Sequence, residues 1–510
     1  MGFDRSAVEA PASRPPMGWN SWDCYGTTVT EEEVLANARF LADHLADVGW
    51  DTVVVDIAWY DPNAHAHGYS DGSGLILDDY GRQLPDPARF PSSAGGRGFT
   101  ELARAVHDLG LRFGLHLMRG IPRDAVRRDL PVLGTAWTAS DIADTDSVCA
   151  WNDDNYGLNF THPGAQAWLD SHIDLVASWG VDFLKVDDML APFHADAIEA
   201  LHAAVARAEA QYRRPITVSL SPGTMLTPTR RHQLDGRAHM WRICDDVWDR
   251  WEDIDAQFPR LARWARHQRP GAWADADMLP LGHIGIRAER GADRQSLLTI
   301  DEQRTMLTLW AMARSPLFVG GDLPTSDPAT IALLRHPMLE VVTAYGRDPQ
   351  EILTEPVGGD GRVIVWRTLL DAEDIRSAGV RCGESSGDDS PVVCAAVFST
   401  ASTSQTMRIA LGSLIADLDI DAPRWHIRDL WDVDAHDLTI ADDRGTPWLT
   451  VGVPAHGVRW FTLTPMTSTD TDPSFIDAHP SSPNTREETH RCTLEHDTAT
   501  GLPQASSPQR

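Results

Sequence analysis

Residues 179–188 read WGVDFLKVDD. VDFLKVD (181–187) is a short, mostly apolar run, the mark of a buried strand. Helical-period segments flank it, AQAWLDSHIDLVASWG (165–180) before and ADAIEALHAAVARAEA (195–210) after. The same alternation extends in both directions. Strand-like runs recur at MGWNSW (17–22), DTVVVDIAW (51–59), LRFGLHLM (111–118), PITVSLS (215–221), HMWRICD (239–245), WADADML (273–279) and PLFVGGD (316–322). Between them lie FTELARAVHDLG (99–110), IDAQFPRLARWARHQ (254–268), DEQRTMLTLWAMARS (301–315) and ATIALLRHPMLEVV (329–342). TEEEVLANARFLADHLADVG (30–49) opens on a Thr30/Glu33 capping box and closes at Gly49. The helical signal is weakest after the fifth strand. Eight strands alternating with helices predict a (β/α)8 TIM barrel over 12–345. The competing open, doubly wound sheet would want a GxGxxG after its first strand, and none follows.

From 346 to 466 the pattern changes to short alternating runs separated by turn residues: RVIVWRTLL, PVVCAAVFS, QTMRIALGS, RWHIRDLW, PWLTVGV and GVRWFTLTP. They predict a small antiparallel β-sandwich domain. Residues 467–510 are rich in Ser, Thr, Pro and Asp and read as a disordered tail. Residues 1–11 form an N-terminal extension without an apolar signal region, and with no apolar run of membrane-spanning length the expectation is a cytoplasmic protein. Gly2 to Ser6 fits the loose myristoylation pattern, with no basic patch to support it.

The 510 residues carry 44 Lys and Arg against 74 Asp and Glu, a net charge of −30. That balance argues against a nucleic-acid-binding surface and against docking on anionic membranes. Lys185 is the only lysine. The six cysteines are widely spaced without a CxxC, so neither a disulfide framework nor a zinc ribbon is expected. No cofactor and no metal site are expected, and oligomeric state is left open.

In a barrel, function sits at the C-terminal strand ends. Here those ends are acidic: Asp56, Asp187 with Asp188, Asp245 with Asp246, Asp275 with Asp277, and Asp322. Carboxylates crowded into one mouth repel one another unless they do acid–base or nucleophilic work, bind a cation or accept hydrogen bonds from hydroxyls. Glycoside hydrolysis needs two carboxyl groups flanking one bond. Trp19, Trp22 and Trp59, three of the 19 tryptophans, are candidate stacking walls.

At these residues the chain resembles glycoside hydrolase family 27, the retaining α-galactosidases. PPMGWNSWDCYG, VVVDIAWYDP, WGVDFLKVDD, MWRICDDVWDRW, WADADML and SPLFVGGDL occur in that family's order. The resemblance implies Asp187 as nucleophile and Asp246 as acid/base. It implies sugar contacts from Trp22, Asp56 and Lys185, with Arg242 near the 2-hydroxyl and Asp277 beside it. Lys185 lies two residues before Asp187 on one strand, so both side chains face one way and the ammonium favours an ionised carboxylate. Asp188 and Asp245, one residue away, are expected to point away from the reacting bond.

The chain departs from the family pattern at four substrate-side positions. Ile57 stands where a second Asp accepts the sugar's 6-hydroxyl, His116 replaces a tyrosine, and Ser221 replaces a glutamate. Asp188 and Met189 stand where a disulfide-forming cysteine would be. Isoleucine accepts no hydrogen bond, and an unpaired buried hydroxyl costs roughly 1–3 kcal/mol. β-L-Arabinopyranose is α-D-galactose without the C6 hydroxymethyl group. A neighbouring loop can still hold the 6-hydroxyl, so the expectation stays an exo-acting α-galactosidase, and Ile57 makes β-L-arabinopyranosidase its rival.

A metal-dependent amidohydrolase barrel is the alternative from another class. Lys185 and Asp322 suit it, but the only HxH pair, His65 and His67, lies in the loop after strand 2. GYSDG (68–72) matches GxSxG in a polar loop rather than at a strand–helix corner.

Overall fold

A computed structural model describes residues 11–359, 361–380, 391–416, 418, 424–432, 438–443, 446–466 and 476–477. The first ten residues and, apart from 476–477, the tail expected at 467–510 lie outside the described residues. The chain divides into two compact units, Met1–Pro349 and Gln350–Arg510.

Eight parallel strands build the first unit: β1 Met17–Asn20, β2 Thr52–Val55, β3 Arg112–Met118, β4 Phe183–Asp187, β5 Thr217–Leu220, β6 Met240–Arg242, β7 Trp273–Asp275 and β8 Leu317–Val319. Their hydrogen-bonded order is β7-β6-β5-β4-β3-β2-β1-β8. Leu279, just beyond β7, closes the ring: its N–H donates to the Phe318 carbonyl at 2.7 Å and its carbonyl accepts from Gly320 N–H at 2.9 Å. This is the expected TIM barrel. Strands such as Thr52–Val55 are buried throughout, because helices cover the outside while side chains fill the inside. β1 and β2 approach so closely at Gly18 that a Cβ there would collide with the Thr52 carbonyl oxygen.

The first barrel helix, Glu31–His44, starts at the expected box: Thr30 Oγ1 accepts from Glu33 N–H, and Glu33 Oε2 accepts from Thr30 N–H. After β5 there is only a 3₁₀ turn, Pro228–Gln233, where the helical signal was weakest. β1 also ends two residues earlier than the MGWNSW run suggests. The chain turns into a short helix at Trp22–Tyr25 instead, which redirects Trp22 and Asp23. After β3 comes a small antiparallel sheet from Ile121–Pro122, Ala143–Val148 and Asn155–Leu158. Its edge strand Ala143–Val148, ADTDSV, is largely exposed, so it carries no apolar alternation to reveal it.

The second unit is the antiparallel sandwich. One sheet runs β9 Arg347–Val357, β10 Gly361–Leu370, β11 Val392–Ser399, β16 Val458–Met466, β13 Arg424–Asp429 and β17 Ile476–Asp477. The other runs β12 Gln405–Ala410, β15 Thr446–Val453 and β14 Leu438–Asp443. Alternate residues on their inner faces form one core, with Val363, Val365, Val393 and Val397 meeting Met407, Ile409, Leu449 and Val451.

Candidate active site

The parallel register sets the site rows. His116 on β3 pairs with Lys185 on β4, and Lys185 with Ser219 on β5; Asp187 stands two residues further towards the mouth. Lys185 Nζ donates to Asp56 Oδ2 at 2.8 Å, and Asn20 Nδ2 donates to the same oxygen at 2.8 Å. Asp56 Oδ1 accepts from Ile57 N–H at 2.8 Å. Burial works against charge on both partners. Lys185 nevertheless holds the Asp56 carboxyl below its ordinary range, and Asp56 with Asp187 lifts the Lys185 ammonium well above its own. The pair is thus buried but charged and hydrogen-bonded, the arrangement in which a buried ion pair persists.

Asp187 Oδ2 lies 3.3 Å from His116 Nε2, and Oδ1 accepts from Asp188 N–H at 3.1 Å. Burial pushes this carboxyl up. The His116 hydrogen bond, with the charges of Lys185 and Arg242, outweighs burial and holds it well below the usual carboxylate range. Asp187 is therefore an ionised carboxylate in a desolvated setting.

Across the mouth, Arg242 serves two carboxyls. Its Nη2 reaches Asp246 Oδ1 at 3.0 Å and its Nη1 reaches Asp277 Oδ1 at 2.8 Å. Asp277 Oδ2 accepts from Val247 N–H at 2.7 Å. Burial pushes Asp277 up; Arg242 opposes, but Asp246 and Asp275 add to burial, and the group rests at about 7. Four buried polar atoms here make no hydrogen bond within the described protein: His116 Nδ1, Ser221 Oγ, Arg242 Nε and Asp23 Oδ2. Each costs roughly 1–3 kcal/mol unless something satisfies it, and three belong to residues singled out from sequence.

Asp23 was missed. It is buried beside Gly320, where a Cβ would collide with Asp23 Oδ2. Burial, followed by the charges of Asp277 and Asp246, pushes its carboxyl well above the ordinary value. Read as strand, Asp23 would face away from Trp22; the helical turn at Trp22–Tyr25 removes that alternation. Asn20 was missed too, although strand alternation from Gly18 offered a signal.

Asp188 turns away at φ +60° and pairs with Arg119, Nη2 to Oδ2 at 2.7 Å. Asp245 is exposed, and its Oδ1 accepts from Asp246 N–H at 3.2 Å. Asp322 does not join the site: it accepts from Tyr25 Oη at 2.7 Å, Asn37 Nδ2 at 2.8 Å and Thr325 Oγ1. Trp19 and Trp59 are not stacking walls. Both are fully buried and donate Nε1–H to backbone carbonyls, of Gly321 and His116. Trp22 remains, stacked on Tyr69 with ring centroids 5.7 Å apart. Ile57 is 2% exposed and packs in an apolar cluster with Trp22, Met118, Cys149 and Met278, and with partly buried Tyr69 against it. Among the described residues, no group of His, Cys, Asp or Glu is arranged to hold a metal ion, and no helix is long and apolar enough to cross a membrane.

A family profile described as Alpha galactosidase A matches residues 150–343. Alpha-galactosidase 3 of Arabidopsis thaliana is 25% identical over 90% of this chain and 84% of its own. Among solved structures, a family-27 β-L-arabinopyranosidase from Geobacillus stearothermophilus is 40% identical with a TM-score of 0.79, covering 90% of this chain and 98% of that one. A putative α-N-acetylgalactosaminidase from Bacillus halodurans is 35% identical with a TM-score of 0.72, covering 90% and 100%.

Proposed function

We propose, for a chain that belongs to glycoside hydrolase family 27, an exo-acting retaining glycosidase that prefers terminal β-L-arabinopyranosides. The observation that carries the preference is Ile57. It presents hydrocarbon, within an apolar cluster, at the position the family resemblance assigns to a 6-hydroxyl acceptor. A pentopyranose has no 6-hydroxyl to strand there, whereas galactose would leave one unpaired. The likeness to the Geobacillus β-L-arabinopyranosidase supports this reading. α-Galactosidase is the second reading, favoured by curated relatives at lower identity.

The reaction runs as a double displacement. Asp187, held ionised by His116, Lys185 and Arg242, attacks the anomeric carbon as the bond to the leaving oxygen breaks. Asp246 gives its proton to that oxygen. The glycosyl ester on Asp187 is then cleaved by a water whose proton passes to Asp246, restoring both carboxyls. The Lys185–Asp56 pair offers a donor and an acceptor to ring hydroxyls, and Arg242 keeps Asp246 oriented.

Nitrophenyl β-L-arabinopyranoside and nitrophenyl α-D-galactoside, compared by kcat/KM, test the preference: the arabinoside should be turned over faster. Ile57→Asp should then move the ratio toward galactose by roughly ten- to a hundredfold. A faster galactoside in the parent, or a ratio unmoved by the substitution, overturns the preference.

A further inference from the structure

The small sheet inserted after β3 ends in a hairpin whose tip, residues 149–154, lies between the strands Ala143–Val148 and Asn155–Leu158. Cys149 on this tip packs in the same apolar cluster as Ile57 and Trp22, so the tip adjoins the wall of the sugar site. Trp151, two residues on, is 39% exposed. It is the only exposed tryptophan among the described residues, and its indole offers a flat apolar face to solvent.

Three rings form a continuous series from the barrel outward. Trp22 is 6% exposed and stacks on Tyr69 at 5.7 Å with planes 25° apart; Tyr69 meets Trp151 at 5.7 Å with planes 49° apart. Tyr69 also feels the site electrically: burial, then Glu289, Asp187, Asp246 and Asp56 all push its hydroxyl up.

The tip is pinned. Asp154 Oδ2 accepts from Tyr60 Oη at 2.7 Å, and the Asp154 carbonyl accepts from Arg123 N–H at 2.8 Å. Asn155 Nδ2 donates to the Arg119 carbonyl at 3.1 Å. The loop after β2 presses on it so closely that a Cβ at Gly72 would lie 2.8 Å from the Asp153 carbonyl. Trp151 is thus an open aromatic face on a fixed support, which lowers the ordering cost of a ligand that stacks on it.

We infer that Trp151 is the platform for the leaving group: a pyranose unit linked to the terminal sugar stacks its C–H face on the exposed indole, outside the sugar site that Trp22 walls. The inference rests on the exo-glycosidase reading and adds the chemistry of the aglycone, a sugar rather than a small alcohol. On that reading Trp22 and the residues around it hold the terminal ring, and Trp151 selects what that ring is attached to.

The test compares two substrates with the same terminal sugar: an L-arabinopyranosyl-β-linked disaccharide and β-L-arabinopyranosyl fluoride. The readout is the ratio of their kcat/KM values in the parent, Trp151→Ala and Trp151→Phe. Trp151→Ala should lower the disaccharide/fluoride ratio about tenfold, the scale of one aromatic stacking contact, and Trp151→Phe should restore most of it. Equal losses on both substrates would show a structural role and overturn the inference, as would an unchanged ratio. A parent active on the fluoride but indifferent to any sugar aglycone overturns the platform alone. A parent inactive on both arabinosides overturns the substrate reading, and this inference with it.

Discussion

Asp187 and Asp277 are both buried carboxyls at the mouth of one barrel, and their surroundings drive them in opposite directions. Burial raises both. Around Asp187 stand His116, Lys185 and Arg242, which win over burial. Around Asp277 stand Asp246 and Asp275, and Arg242 is shared with Asp246. One wall of the mouth is therefore supplied with cations, and the other has one guanidinium for two carboxyls. The asymmetry keeps Asp187 ionised and favours a proton on Asp277, the neighbour of the proposed acid Asp246 rather than Asp246 itself.

The largest effect is expected at Asp187, the proposed nucleophile. Asp187→Asn should lower kcat by about 10⁴-fold or more. Asp188→Asn should keep turnover per folded molecule but lose roughly 3 kcal/mol of stability, because Arg119 is left buried without its partner. Denaturant melts and active-site-normalised rates separate the two; if Asp188→Asn silences the folded enzyme, the assignment moves by one residue. On the opposite wall, Asp246→Ala should cost about 10²–10⁴-fold on sugar leaving groups and far less on the glycosyl fluoride, which needs no proton. Equal losses on both would remove Asp246 from the acid role.

Lys185→Arg sharpens the cation-rich side. The seat is sized for a compact ammonium 2.8 Å from Asp56, and a longer, planar group overfills it at about 1–3 kcal/mol. A tenfold or greater fall in kcat/KM is expected; full activity would make the only lysine a compositional accident.

The smallest effect is on stability against pH, and its sign differs between the two aspartates. Asp277 has its folded value raised to about 7. Between pH about 4 and 7 the folded chain then keeps a proton that the unfolded chain has lost, so stability falls as pH rises through that window. Asp187 has its folded value lowered. Its contribution is present above pH about 4 and is lost as pH falls below it. Melting temperatures of Asp277→Asn against the parent should converge toward acid and diverge in favour of the variant toward pH 7. A constant difference across the range would contradict the raised value.

Much of this was legible in the chain. All eight barrel strands appear where short apolar runs alternate with helical periods, and Thr30 and Glu33 form their cap because that interaction is local. Asp188 turns away and Asp245 is exposed, but both lie beyond the ends of their strands, so the backbone turns there and not strand alternation set their direction. The signal failed where local pattern and final geometry part. MGWNSW reads as one strand, yet the chain turns at Trp22, so Asp23 arrives in the site unannounced. Trp19 and Trp59 are as aromatic as Trp22, and only packing shows that they are core. Tyr69 and Trp151 sit in irregular or exposed segments that carry no period at all.

The sequence alone determines the order of elements, the family motifs and the supply of carboxyls at the strand ends, because periodicity and capping act over a few neighbouring residues. Which carboxyl is charged and which keeps a proton is decided only by the tertiary structure. Lys185 meets Asp56 across 129 residues of chain. Arg242 is divided between two acids from adjacent strand ends. Coulomb energy depends on distance in space and on the water removed around each group, and neither is written in the local order of residues.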